Sequence, residues 1–285
     1  MPGEMSNLFA HHPRSWLENR YVYAVVSRRS RGLSIGVDLN PDKVCNFDCV
    51  YCCVDRRTPP RVREVDLGVL KAELEHMLQL AATGEIYRGE PFDQTPTDMR
   101  RLNDVAFSGS GEPTAYAKFD DACRIAADLL AVHKLQDVKI VLITNATLLH
   151  RPVVKAALDL LDRHNGEVWA KLDAGTEEYY RLVERTKVRL SRVMENLAEA
   201  GRVRPIVIQS LFMRIRGTPP TAAEIDAYVQ RLSELVERGC RIKLVQVYTT
   251  ARRTAEEYVA ALDEGAMETI AQRVRGLGLL AEVFA

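Results

Sequence analysis

The sequence predicts an α/β fold of six βα units, and three observations carry that reading. From residue 33 onward, short β-branched runs alternate with longer amphipathic stretches, the pattern of parallel strands joined by crossover helices. Several runs are almost wholly apolar, as strands covered on both faces are. The chain has 285 residues with 39 basic and 39 acidic side chains. A single barrel of repeated βα units fits that length, at roughly 200 to 250 residues, and nothing in the middle of the chain reads as a linker.

In order, the expected strands are 33–39, 104–108, 139–144, 167–173, 205–213 and 241–248, with a short closing strand at 279–284. Leu67, Leu70, Leu74, Met77 and Leu78 recur at helical spacing, so one stripe of the first helix faces a sheet. Pro152 suits the first turn of a helix. Thr221 and Glu224 form a T-x-x-E capping box ahead of Ile225, Tyr228, Val229 and Leu232. Two regions stand outside the repeat. Residues 1–32 are expected to be an N-terminal extension to a barrel at 33–285, with 21–27 pairing as a hairpin with 33–39. Residues 84–103 are polar, contain proline and exceed the length of a usual barrel connection, as a lid does.

Balanced charge gives no general attraction for nucleic acid or anionic lipid. Two basic runs, Arg28, Arg29 and Arg31 and then Arg56, Arg57, Arg61 and Arg63, read as solvated or locally paired surface before they read as contacts to a phosphate-bearing substrate. The start, MPGEMSNLFAHHPRSW, has no continuous apolar stretch, and no apolar run approaches the ~20 residues of a bilayer span. A cytoplasmic location without membrane contact is expected. Four of the six cysteines fall between residues 45 and 53, which in a reducing compartment suggests metal binding over disulfides. Cys123 and Cys240 read as buried structural thiols.

Residues 37–55 read VDLNPDKVCNFDCVYCCVD. Thiolates spaced as Cys45, Cys49 and Cys52 are can converge on one centre, and soft sulfur selects iron–sulfur clusters, zinc or Cu(I). A cubane held by three thiolates leaves one iron open for chemistry. The alternatives are a zinc site completed by Cys53, awkward because adjacent residues of an extended backbone point to opposite sides, and a four-cysteine cluster that only carries electrons.

The run Cys45-x-x-x-Cys49-x-Tyr51-Cys52 resembles the signature of the radical S-adenosylmethionine (SAM) superfamily. Residues 108–114, SGSGEPT, resemble its Gly-Gly-Glu-Pro motif, with Gly109, Gly111, Glu112 and Pro113 in place and Ser110 standing where the usual pair has its first glycine. Glycines at a strand end let backbone approach a ligand, and a carboxylate can hold an ammonium; a plain turn ahead of a helix near Ala117 is the alternative. The resemblance implies a partial (β/α)6 barrel of radical SAM type, a 4Fe-4S cluster on Cys45, Cys49 and Cys52, and S-adenosyl-L-methionine as cofactor, its methionine end at the glycine motif.

Reactive groups of a βα barrel gather at the C-terminal strand ends. Thr144 and Asn145 end the third strand. Lys171 and Asp173, at i and i+2, share a face at the end of the fourth. Gln209 lies in the fifth, and Gln246 and Tyr248 end the sixth. Each alone has a core or capping reading; together they describe a lined cavity. By the resemblance, the third to fifth strand ends help hold the cofactor's ribose and carboxylate. Tyr51, Asn145, Lys171, Asp173 and Gln209 are therefore assigned with the glycine motif to the cofactor, and Gln246, Tyr248 and Arg252 to the substrate side.

The implied reaction is reductive cleavage of SAM to a 5'-deoxyadenosyl radical that takes hydrogen from an unidentified substrate, with one electron from an external donor such as flavodoxin or ferredoxin. No acid–base residue is assigned. The nearest grouping is the bacterial set related to the tRNA wyosine synthases, but residues 1–44 lack the second cysteine trio of those synthases. The C-terminal cysteine cluster of molybdopterin-precursor cyclases and of extended peptide maturases is missing too. Modification of tRNA stays an alternative that the net charge does not favour, with an electron carrier behind it.

Overall fold

The structure is a computed structural model that describes residues 18–285; the reading of residues 1–17 lies outside them. The chain divides into two compact units, one of Met1–Cys45, Thr58–Ile143 and Pro152–Glu167, the other of Asn46–Arg57, Thr144–Arg151 and Val168–Ala285. The fold is α/β. No helix among the described residues is long and apolar enough to cross a membrane.

In the first unit, β1 (Val22–Ser27) and β2 (Gly32–Val37) make the expected antiparallel hairpin, with Tyr23 opposite Gly36. Next to β2, β3 (Leu102–Phe107) and β4 (Lys139–Thr144) run parallel to it in that order. Leu33, Ile35, Val37, Val105, Phe107, Ile140 and Leu142 are fully buried, because helices carry matching apolar stripes. α1 (Leu67–Thr83) buries Leu70, Leu74, Met77 and Leu78. Asp66 caps its start by accepting from the amides of Gly68 and Val69, and Gly84, at φ 72°, ends it in the left-handed region that glycine tolerates. α2 (Phe119–Val132) sets Phe119 edge-on to Phe107, ring centres 5.7 Å apart. α3 (Pro152–Asp162) starts on the proline expected in its first turn and buries Val154, Leu158 and Leu161.

Residues 84–103, which the sequence suggests as a lid, have regular local structure. They form three short 3-10 turns and bury Ile86 and Phe92. They also lead into the N-terminal end of β3, whereas the glycine motif follows its C-terminal end. One aliphatic and one aromatic side chain, Ile86 and Phe92, anchor this polar stretch.

The second unit begins its regular structure with β5 (Gly166–Lys171), α4 (Glu177–Glu184) and α5 (Leu190–Val203). β6 (Ile206–Leu211) follows, fully buried along its length. The expected strand 205–213 then breaks: Phe212 turns its ring onto Tyr228, centroids 5.1 Å apart, and β7 (Met213–Ile215) leaves to pair antiparallel with β9 (Val259–Ala261). α6 (Ala222–Glu237) is capped by Thr221, whose hydroxyl accepts from the Glu224 amide at 3.2 Å. The other half of the capping box is absent. Glu224 instead accepts from the Gly175 amide at 2.6 Å and the Thr176 hydroxyl at 2.6 Å, so its carboxylate holds the turn after β5. β8 (Ile242–Tyr248), α7 (Glu264–Arg275) and β10 (Ala281–Phe284) complete the unit, in which β5, β6, β8 and β10 are parallel neighbours in that order.

Candidate functional site

In the first unit, the chain leaves β2 through Asp38, a buried residue whose carboxylate accepts from the Asn40 amide at 2.9 Å. The glycine motif that follows β3 packs on this exit. A Cβ at Gly109 would fall 2.4 Å from the Asp38 carboxyl carbon, and one at Gly111 would fall 2.2 Å from the Val44 carbonyl oxygen. The glycines thus let the motif approach the start of the cysteine loop, where the sequence had suggested an approach to ligand. Tyr23 supports the same place: its ring lies over Gly36 and its hydroxyl is 3.2 Å from that of Ser108. Glu112 is buried and accepts from the amide and hydroxyl of Thr114, at 3.2 and 2.5 Å, capping the short turn Pro113–Ala115. α2 opens at Phe119, close to the Ala117 expected for that helix.

The cysteine loop passes into the second unit after Cys45. There it lies on the corner that ends α4. The amides of Asp48 and Val50 donate to the carbonyls of Glu184 and Val183, at 3.1 and 2.8 Å. Thr186 donates its hydroxyl to the Asn46 carbonyl at 2.9 Å, and Arg185 donates Nε to the Asp48 carbonyl at 2.6 Å. Cys45, Cys49 and Cys52 are half-buried, Cys53 is exposed, and Cys123 and Cys240 are buried as expected. Among the described residues no three His, Cys, Asp or Glu side chains gather around a single ion position. Cysteines of an iron–sulfur cube each take a different iron, so their sulfurs need not meet at one point; three half-buried thiols on one loop are a fitting donor set for such a cluster.

Around Cys49 the second unit holds a buried charged cluster. The Cys49 thiol donates to Glu184 at 2.7 Å. Tyr51 donates to Asp173 at 2.5 Å and to Glu184 at 3.3 Å, and accepts from the Lys171 ammonium at 2.9 Å. Lys171 also stands over the Tyr51 ring, 4.6 Å from its centre. Asp173 further accepts from the Leu211 amide at 2.7 Å. Burial pushes the Cys49 thiol up, with Glu184 adding to it, so without metal the sulfur is held protonated. Burial raises Tyr51 and Glu184 as well, with Asp173 next in weight for both. For Lys171 burial acts downward, but Tyr248, Asp173, Cys49 and Glu184 together outweigh it and hold the ammonium above its ordinary range. Lys171 is thus held in its charged form here.

Other predicted residues of this unit meet in smaller groups. Asn145 donates to the Asn46 side chain at 2.7 Å and accepts from the Thr147 amide and hydroxyl. Gln209 donates to Gln246 at 2.8 Å, so residues read as cofactor and substrate contacts form one buried pair; among the described residues Gln209 Oε1 has no hydrogen-bond partner. Tyr248 packs with Tyr51, Val50, Leu211 and Phe284. Arg252 is half-buried on the segment after β8, outside these groups. The residues that sequence reading missed are Glu184, Arg185 and Thr186. They sit in a helix end with no strand-end position or motif to mark them, 135 residues from Cys49 in the case of Glu184.

A sequence model of the radical SAM superfamily matches residues 39–216. Among curated proteins, the chain is 22% identical over 257 residues to a protein named GTPase Obg from Brachyspira hyodysenteriae, covering 90% of this chain and 33% of that one. It is 30% identical over 144 residues to a UPF0026 protein of Helicobacter pylori, covering 50% of this chain and 40% of that one. The chain thus spans two fifths or less of the length of these relatives. Among solved structures, a radical SAM methyltransferase from Sphaerobacter thermophilus superposes with a TM-score of 0.61 at 13% identity, over 92% of this chain and 68% of that one. That likeness shows the fold.

Proposed function

The chain belongs to the radical SAM superfamily, and on that premise we propose that it cleaves SAM reductively at a 4Fe-4S cluster on Cys45, Cys49 and Cys52 and removes a hydrogen atom from a substrate C–H bond. The observation that carries the reading is the loop of three half-buried thiols beside buried polar strand ends. When bound, the cluster supplies the electron that splits the C5'–S bond of SAM into methionine and a 5'-deoxyadenosyl radical.

The chain's own groups bind and orient. Glu112, on the loop bounded by Gly109, Gly111 and Pro113, offers a carboxylate to the ammonium of the methionine moiety. In the second unit, Tyr51, Asn145, Lys171, Asp173 and Gln209 are the proposed cofactor contacts; Lys171, held charged, suits a carboxylate, and the unpartnered Gln209 Oε1 suits a donor. Gln246, Tyr248 and Arg252 face the substrate in this reading. Their work is to place one C–H bond and keep water out. A flavodoxin or ferredoxin serves as electron donor, and six free thiols suit a reducing, cytoplasmic setting. The GTPase in one relative's name is not carried over, since the chain has no G-x-x-x-x-G-K-[S/T] loop.

The test is anaerobic reconstitution with iron and sulfide, then dithionite and SAM, with 5'-deoxyadenosine and methionine read by mass spectrometry. Both products are expected from the wild type and neither from Cys45→Ala, whereas Cys53→Ser keeps cluster and cleavage. A stable cluster that neither binds SAM nor yields products would replace this reading with that of an electron carrier.

A further inference from the structure

We propose that the corner at residues 183–186 holds the cysteine loop in its ligand-presenting shape before any cluster is bound, with Arg185 as the positioning residue. The inference deepens the cluster reading above and rests on it for its loading half.

Two backbone bonds, from Asp48 to Glu184 and from Val50 to Val183, lay the loop along the corner like a short strand. Side chains then fasten it. Arg185 donates Nε to the Asp48 carbonyl at 2.6 Å, meets the Asp48 carboxylate at 3.1 Å, and donates Nη1 to Glu256 at 2.6 Å. Glu256 belongs to the segment that also reaches the loop at Cys52, whose carbonyl accepts from the Ala255 amide at 2.9 Å. One guanidinium therefore joins the α4 corner, the stretch before Cys49 and the segment that holds Cys52.

The backbone makes the choice of residue informative. Arg185 ends α4 at φ 45° and ψ 47°, a left-handed conformation that disfavours any residue with a Cβ and is commonly filled by glycine at this place in a helix. An arginine here works against its own backbone preference, and the three polar partners of its planar fork give the compensating gain. Cluster ligands that start from a fixed loop lose less freedom on binding than ligands on a loose one.

Arg185→Gly separates the two roles, since it relieves the backbone while removing the fastener. Arg185→Lys keeps the charge without the fork. In metal-free protein, hydrogen exchange is followed at the amides of Asp48 and Val50 and, as an internal reference, at the buried amides of β6. The expected result for Arg185→Gly is exchange faster by about tenfold or more at the two loop amides, with the β6 amides and the melting temperature not reduced. Arg185→Lys is expected to recover part of the protection. After reconstitution, iron should leave Arg185→Gly for a chelator several-fold faster than it leaves the wild type, and the electron paramagnetic resonance signal of the reduced cluster should broaden. Unchanged loop exchange in Arg185→Gly, or equal iron retention, overturns the inference. A wild type that takes up no cluster at all would overturn the functional reading and the loading half with it, while exchange in the metal-free protein still decides the docking half.

Discussion

Asp104 is a buried carboxyl whose neighbours do not fully offset the loss of water. It lies in β3 beside Ser34, which donates to it. Burial raises it to about 6, against the opposing effects of Ser34, Ser30, Lys139 and Arg29. The sign follows from proton binding. Between the unfolded value near 4 and the folded value near 6, the unfolded chain releases the proton while the folded one keeps it, so stability falls as pH rises through this window and is level above it. At about 1.4 kcal/mol per pK unit, the ionised form costs up to roughly 3 kcal/mol at neutral pH. Asp104→Asn keeps an acceptor for Ser34 and has no proton to lose. Urea melts at pH 4.5 and 7.5 should show the variant gaining on the wild type as pH rises; parallel changes in both proteins would locate the titration elsewhere. The same contrast separates residue types in the candidate site. Cys49 and Tyr51 were marked in the sequence by their motif, and Lys171 and Asp173 by their strand-end spacing. Glu184, which receives the Cys49 hydrogen bond, carries no local mark, because only the folded chain brings it there.

Among the elements, the parallel strands described within each unit were readable because each is a short apolar run bounded by polar residues. What could not be read was what tertiary packing decides. The stretch 205–213 looked continuous, yet it is divided into β6 and β7 at Phe212, whose ring packs on Tyr228. Residues 84–103 read as a long polar connection, and the burial of Ile86 and Phe92 within it could not be foreseen from that composition. Glu224 had the spacing of a capping partner, yet its carboxylate is used across the unit on Gly175 and Thr176. The glycine motif was legible as a motif, but its physical reason was not. Gly111 faces a backbone carbonyl of the cysteine loop, where an added Cβ would lie 2.2 Å from Val44 O. Backbone cannot swing away as a side-chain tip does, so Gly111→Ala should cost about 1–3 kcal/mol by overpacking and shift the loop just before Cys45. Gly265 is the control: it sits in α7, where the nearest atom to an added Cβ is 3.6 Å away, and Gly265→Ala should be neutral or slightly stabilising. Denaturant melts together with iron retention after reconstitution check the pair; equal retention in both would free the loop from any dependence on Gly111.

For the whole molecule, the decisive quantity is whether SAM binds the folded, cluster-loaded chain at all. A ligand that binds only that state stabilises it by about 2.7 kcal/mol at a hundredfold excess over Kd. In a protein of this size 1 kcal/mol moves Tm by about 2 °C or slightly more, so a rise of roughly 5 °C is expected. The rise should require the cluster, which would form part of the proposed cofactor site. Metal-free protein should melt at the same temperature with and without SAM. Glu112→Gln sharpens the result. Glutamine can still accept from Thr114, as Glu112 does at 3.2 and 2.5 Å, so the turn at Pro113–Ala115 should persist and the ligand-free melt should stay close to that of the wild type. It has no charge to offer an ammonium, and most of the SAM-dependent rise should vanish. An electron carrier would show no rise in any of these samples, and a rise undiminished in Glu112→Gln would move the methionine end of SAM away from the glycine motif.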